Sequence, residues 1–257
     1  MLSLFRHEKS SRKSPGELVQ AAVPEMQDAE IAAAYNAQRM GGDFYDFLRV
    51  SPNRVLFGLL DVAGGREEAQ GIVAAAKETF RKLGQELFSQ EEINEADAMT
   101  ELFLQLNRTV LETAVGVHSC PAFAGCYNED LGIVSYFNAG HTPGFLRDHA
   151  SVTQLPATGL PLGLFSHTTS DSQMVVLEPG AALLLASRGI VEAKCKDQEF
   201  GLDGVQNMLQ HTEGETANQL CVNLLDKVQD FMCRPPTDND VTVMALVRDA
   251  IGKTVAA

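Results

Sequence analysis

Apolar and polar positions alternate along residues 43–50, break at Ser51-Pro52-Asn53, and resume as an apolar run over residues 54–62. A period of two on both sides of a turn signal predicts a β-hairpin, its second strand ending at Asp61. The period then changes. Ile72, Ala75, Ala76, Thr79, Phe80 and Leu83 share one helical face within residues 67–83. Met99, Leu102, Phe103, Leu106, Val110 and Leu111 do the same within residues 96–114. Short apolar segments then alternate with turn residues, which predicts strands at 121–127, 132–137, 144–147, 152–155, 174–177 and 181–186. Helical spacing returns over 204–210 and 216–232, and residues 241–247 close the pattern as a strand. Strands that meet through short turns favour antiparallel pairing. Helices clustered between hairpins, not after every strand, predict an α+β fold instead of a doubly wound parallel sheet.

Composition narrows the picture. The chain has 257 residues, 45% of them hydrophobic, enough for a substantial core. Residues 10–16 read as a junction, no internal repeat is visible, and one domain is expected over residues 17–250. A basic flexible tail (1–16) and a C-terminal tail (251–257) are expected to flank it. The net charge is −14, yet Arg6, Lys9, Arg12 and Lys13 outweigh Glu8 in the tail. So acidic a chain is repelled by nucleic-acid phosphates, so no nucleic-acid partner is expected. No apolar run reaches the roughly 18–20 residues of a membrane span, and none resembles a signal peptide. The odd set Cys120, Cys126, Cys195, Cys221 and Cys233 has no metal-binding spacing and reads as reduced thiols in a cytoplasmic protein.

Two acidic segments carry candidate chemistry: Gly41-Gly42-Asp43-Phe44-Tyr45-Asp46 and Asp61-Val62-Ala63-Gly64-Gly65. The hairpin can bring Asp43 and Asp61 side by side at its open end. Two adjacent carboxylates repel unless a divalent cation lies between them. Such a cation acidifies bound water and supplies a nucleophile for phosphoester hydrolysis. The competing reading is a pair of turn aspartates that cap backbone amides, and these residues alone do not separate the two. A diguanylate cyclase reading of the GGD triplet fails, because Phe44 and Tyr45 stand where that signature needs acid.

The motifs in order resemble the SpoIIE-like branch of the metal-dependent (PPM-type) serine/threonine phosphatases. Residues 41–46 resemble the family's GGDxYD and residues 61–64 its DVSG. Asn138-Ala139-Gly140-His141-Thr142-Pro143 resembles NAGHxP, and residues 157–163 resemble xxGxPLG. Residues 186–193 stand where the family has YTDGxxEA, and Asp238-Asn239-Asp240-Val241-Thr242 where it has DDDxT. Residues 17–34 resemble its first helix and first strand. The resemblance implies a four-layer αββα sandwich with two mainly antiparallel sheets. It implies Mn²⁺- or Mg²⁺-dependent hydrolysis of phosphoserine or phosphothreonine, often on an anti-sigma-factor antagonist. Expected partners are a phosphorylated protein substrate or a regulatory protein, with homodimerisation allowed.

By resemblance, Asp43, Asp61 and the Val62 carbonyl match metal ligands, and two further ligands are altered. Arg188 replaces the Asp of TDG, and Asn239 the middle Asp of DDDxT. Asparagine retains a neutral acceptor; arginine offers none and carries a permanent positive charge. Ala63, Gly65 and Arg66 also depart from the family loop. The expectation is at most one tightly held Mn²⁺ or Mg²⁺, and weak or absent catalysis at Asp61, Asn239 and Arg188. Arg188 either marks decay of a catalytic site or holds a phosphate in place of the missing ion. Asp46 and Asp240 are expected behind the ligands, Asp240 with some prospect of replacing one. His141 is read as a structural hydrogen-bonding residue, with general acid chemistry as the alternative.

Overall fold

The structure, a computed structural model, describes residues 23–36, 42–62, 66–116, 118–166, 171–212, 214–233 and 240–250. Asn239, Asp238, Gly41, residues 63–65 and both expected tails lie outside the described residues. The first strand, β1 (Ala29–Asn36), precedes the hairpin β2 (Asp43–Ser51) and β3 (Arg54–Asp61). Helices α1 (Arg66–Phe88) and α2 (Glu95–Thr113) follow. Next come β4 (Ala122–Asn128), β5 (Ile133–Ala139), β6 (Gly144–Arg147), β7 (Val152–Leu155), β8 (Gln173–Val176) and β9 (Ala182–Ala186). A single helical turn, α3 (Arg188–Val191), leads to a small hairpin of β10 (Lys194–Cys195) and β11 (Gln198–Glu199). Helices α4 (Gly201–Gln210) and α5 (Ala217–Phe231) precede the last strand, β12 (Val241–Arg248).

Two five-stranded sheets result, ordered β2-β3-β4-β5-β8 and β1-β12-β9-β6-β7. Their ladders are antiparallel throughout. The alternation of side chains along each strand builds the layers. In β12, Val243, Ala245 and Val247 pack with Leu220 and Leu224 of α5, while Met244 and Leu246 point into the space between the sheets. In β4, Ala122, Ala124 and Cys126 pack under α1 and α2, while Phe123 and Tyr127 face the other sheet. Both faces of the central strands are therefore buried, and β3, β4, β9 and β12 read as near-continuous apolar runs although they pair antiparallel. The architecture is the expected αββα sandwich.

Local signals set the helix ends. Asn94 caps α2 through its side chain, and Thr216 with Gln219 forms a reciprocal capping box on α5. Leu111, expected on the buried face of α2, is exposed instead. The cysteine expectation needs a larger correction. Cys195 and Cys233 form a disulfide with their Cα atoms 4.9 Å apart, and only Cys120, Cys126 and Cys221 are free thiols. Their 38-residue separation gives no local sign of the pairing.

Close packing between paired strands is tested at Gly125. It lies opposite Phe57 on the neighbouring strand, and a Cβ there would meet the Phe57 ring at 2.5 Å. Phe57 is itself buried between the sheets. Gly125→Ala is expected to lower unfolding free energy by roughly 1–3 kcal/mol through overpacking. Urea unfolding of the two proteins with equal m-values would measure it; an unchanged midpoint would contradict this packing.

Candidate metal centre

The register of the β2–β3 hairpin sets Asp43 directly opposite Asp61. Two backbone bonds fix the open end: Asp61 N–H donates to Pro121 O at 2.9 Å, and Val62 N–H donates to Gly42 O at 2.7 Å. Asp43 points toward the second sheet, where the Thr242 hydroxyl of β12 donates to its Oδ2 at 2.5 Å. Burial pushes the Asp43 carboxyl up to about 8, with the neighbouring Asp61 charge adding to the rise and the Thr242 bond opposing it. Burial also raises Asp61, and the Arg188 charge partly offsets it. Burial thus disfavours the charged form of both carboxyl groups, and nearby carboxylates add to it: Asp61 at Asp43, and Asp240 with Glu192 at Asp61.

Asp240 makes a separate clasp on the same loop. Its Oδ2 accepts from Gly42 N–H at 3.1 Å, Asp43 N–H at 3.3 Å and the Tyr35 hydroxyl at 3.2 Å. Gly42 has to be glycine, since a Cβ there would lie 2.8 Å from that oxygen. Asp240 therefore orients the segment that presents Asp43. Ser187 and Thr242 complete the frame. Thr242 N–H donates to Ser187 Oγ at 2.9 Å, and Ser187 N–H donates to Thr242 O at 2.8 Å. The motif reading had included Thr242 and Ser187 without giving either a task. An interior hydroxyl beside a ligand aspartate is the signal that would have identified them.

Arg188 opens α3 immediately after Ser187. Its Nη2 lies 3.5 Å from Asp61 Oδ2, and its Nε lies 4.0 Å from Glu192. The Arg188 side chain is 46% exposed, so this ion pair contributes little to stability. Its importance is positional: a fixed cation stands beside the candidate ligand. His141 is buried. Its backbone N–H donates to Asn138 Oδ1 at 2.8 Å, and its Nδ1 lies 3.0 Å from Thr142 O. With Nδ1–H given to that carbonyl, Nε2 is a bare acceptor, and it has no hydrogen-bond partner among the described residues. Burial lowers the His141 pKa to about 4, and the Arg188 charge disfavours its proton further.

Asp46 takes a different place from the one expected. It is buried on the helix side of β2, accepting from Arg81 of α1 at 2.8 Å (Nη2 to Oδ1) and from Phe47 N–H at 3.0 Å. It joins a strand to a helix and stands apart from the Asp43–Asp61 pair.

Asp43 and Asp61, with the Val62 carbonyl nearby, offer the hard oxygen donors that suit Mn²⁺ or Mg²⁺ with water completing the shell. A cation would favour the charged form that burial and neighbouring carboxylates oppose at both groups, so the residues fit such an ion. Among the described residues, no group of three acidic, histidine or cysteine side chains is arranged to hold a metal.

The pattern of the family described as Stage II sporulation protein E (SpoIIE) matches residues 51–249. This chain belongs to the SpoIIE family. The family comprises metal-dependent serine/threonine protein phosphatases. The chain is 26% identical over 237 residues to the phosphoserine phosphatase RsbU of Bacillus subtilis (strain 168), spanning 90% of this chain and 67% of RsbU. The fold is similar to the PP2C phosphatase domain of SpoIIE from Bacillus subtilis, with a TM-score of 0.70 and 16% identity over 87% of this chain and 64% of that one. It is also similar to RsbX in complex with magnesium, with a TM-score of 0.62 and 12% identity over 88% of this chain and 98% of that one. The structural likenesses establish the fold alone. No helix among the described residues is long and apolar enough to cross a membrane.

Two substitutions separate the site from its surroundings. Asp46→Asn is expected to cost about 1–3 kcal/mol of stability by weakening a buried charged hydrogen bond, with Mn²⁺ affinity unchanged. Calorimetry on the folded variant checks the second part; a large loss of affinity would return Asp46 to the metal site. His141 gives a pH test. Its folded pKa of about 4 lies below the ordinary 6.5, so the unfolded chain binds the proton more readily. Its contribution is thus present above about pH 6.5 and is lost as pH falls toward 4. Between pH 7 and 5 the wild type is expected to lose on the order of 2 kcal/mol more than His141→Gln, which cancels the other titrating groups. Parallel pH profiles in urea unfolding would contradict a neutral buried imidazole.

Proposed function

We propose that this chain is a SpoIIE-type phosphatase-like domain that binds a phosphorylated protein or a regulator in the cytoplasm and hydrolyses phosphoserine weakly or not at all. The observation that carries this reading is the Arg188 guanidinium, 3.5 Å from Asp61 Oδ2. In the resemblance set out above, the residue at this position is an aspartate that helps hold a second ion. A guanidinium here repels a divalent ion and cannot ligate it. Asn239, outside the described residues, removes a second carboxylate from the same set.

At most one Mn²⁺ or Mg²⁺ is then held, by Asp43, Asp61 and the Val62 carbonyl. When bound, that ion would supply Lewis acidity and acidify a water. The tasks of the chain's own residues follow. Thr242 and Ser187 orient Asp43, Asp240 holds the Gly42–Asp43 backbone, and Arg188 offers a charged fork to the oxygens of an incoming phosphoryl group. His141, neutral and buried, supports the turn at residues 138–143. Without a second ion, the developing charge on a transferring phosphoryl group is less well neutralised. Several kcal/mol of barrier are at stake, and each ~1.4 kcal/mol is tenfold in rate.

The competing reading is an active Mn²⁺/Mg²⁺-dependent phosphatase acting on a phosphorylated anti-sigma-factor antagonist, which the 26% identity to RsbU favours. Turnover of a phosphoserine peptide separates the two. Wild type is expected to be slow. The double variant Arg188→Asp with Asn239→Asp is expected to gain Mn²⁺-dependent turnover and a second site in calorimetric titration. Asp61→Asn in each background controls for contaminating phosphatase. Robust wild-type turnover abolished by Asp61→Asn would overturn the impaired reading, and two tight sites in the wild type would overturn the single-ion count.

A further inference from the structure

The five cysteines fall into two chemically different groups. Cys120, Cys126 and Cys221 are buried free thiols. Burial pushes Cys120 and Cys221 up to about 12, and Cys126 well above its ordinary value. Such thiols carry almost no thiolate and react poorly with oxidants. The bonded pair lies at the surface: Cys195 is half-buried, and Cys233, just past α5, is exposed. Neither belongs to any of the hydrophobic clusters. Their bond is therefore not part of the packing that holds the sandwich together.

Its position is informative. Arg188 stands seven residues before Cys195, and Asp240 stands seven residues after Cys233. The bond thus links the β10–β11 hairpin, which follows the Arg188 turn, to the end of α5. Noncovalent contacts bring the cysteines near each other independently of it. Phe200 N–H donates to Ala193 O at 2.8 Å and closes the β10–β11 hairpin, which the Lys194–Glu199 ion pair spans. Phe200 then packs edge-on against Phe231, two residues before Cys233. A Cα separation of 4.9 Å lies within the range that a disulfide needs. Thiols kept close by other contacts, at an accessible surface, can be oxidised and reduced in the folded state.

We infer that Cys195 and Cys233 form a reversible redox-modification site, oxidised by a peroxide or a small-molecule disulfide, whose bonded form ties the hairpin after the Arg188 turn to the end of α5. With hydrogen peroxide, one thiolate attacks an oxygen, the O–O bond breaks, and a sulfenic acid and water form. The second thiolate attacks that sulfur, the S–O bond breaks, and a second water leaves as the disulfide closes. Two thiols lose two electrons and two protons, and one peroxide becomes two waters. A dithiol reverses the change by exchange through a mixed disulfide. The bond anchors the β10–β11 hairpin to the end of α5, and the Arg188 turn leads directly into that hairpin. The bonded form therefore holds the Arg188 turn more firmly than the dithiol form.

The test uses the full chain without denaturant and does not depend on catalysis. Reduced protein is treated with stoichiometric hydrogen peroxide, alkylated and mapped by mass spectrometry. The Cys195–Cys233 cross-link should form and be fully reversed by a dithiol, while the buried thiols are alkylated only after unfolding. Amide hydrogen exchange at residues 188–192 should be several-fold slower in the bonded form. That difference should vanish in Cys195→Ser and in Cys233→Ser. A bond that resists the dithiol in the folded protein, oxidation that stops at unpaired sulfur acids, or equal exchange in both states would each overturn the inference. Loss of phosphatase or metal binding in both redox states bears on the function proposed above and leaves this one standing.

Discussion

The Thr242 hydroxyl donating to Asp43 is the contact on which the geometry of the centre depends. It joins an edge strand of one sheet to a central strand of the other, across the layer where Phe47, Phe57, Phe123, Met244 and Leu246 pack. That apolar layer fixes the spacing of the sheets, because close-packed side chains leave little room for sliding. The spacing in turn brings Asp43 within reach of β12. The Asp240 carboxylate, two residues before Thr242, accepts from the backbone of the same loop. Two adjoining positions of one chain segment thus control both the side chain and the main chain of a candidate ligand. Packing specifies distance, and a few hydrogen bonds convert that distance into orientation.

Where the pattern was regular, the sequence was informative. The β2–β3 hairpin was visible because alternation runs up to a turn and away from it. The longer helices were visible because their apolar faces repeat through several turns. The strand β1 carried no such signal: Ala32, Ala33 and Ala34 suit a helix, and only pairing with β12, far along the chain, makes them a strand. The single turn α3 and the two-residue strands β10 and β11 are too short for any period to show. The Cys195–Cys233 bond depends on how two helices fold back between its ends, which no local pattern encodes. Asp46 illustrates the limit at a single residue. Alternation along β2 puts it on the same face as Phe44, which packs under the helices, but its partner Arg81 becomes visible only once α1 is docked.

The same division applies to the site. A pair of aspartates at the end of a hairpin is a local inference, and the register sets them opposite each other. The residues that orient them come from elsewhere: Tyr35 from β1, Ser187 from the end of β9, Thr242 from β12. Hydroxyl groups at the ends of strands are common, and nothing in their own neighbourhood distinguishes these. What distinguishes them is their place beside a carboxylate whose ionisation burial disfavours.

Arg188 is the residue for which magnitude matters most. Two unit charges about 4 Å apart interact by roughly 4 kcal/mol at an effective dielectric near 20, and a divalent ion doubles the repulsion on a nearby guanidinium. Half of the Arg188 side chain is in water, which screens the pair with Asp61 and lets the guanidinium swing outward. A cation at Asp43 and Asp61 is therefore compatible with Arg188, provided the guanidinium yields ground. A second ion at the place Arg188 occupies is not, because it would lose a carboxylate ligand and gain a like charge in one substitution. The cost of that exchange falls on the ion pair needed to neutralise a transferring phosphoryl group, while the positive charge needed merely to hold a phosphate is retained. On the function proposed above, an arginine in place of an aspartate costs turnover more than binding, and this asymmetry is the physical basis of that proposal.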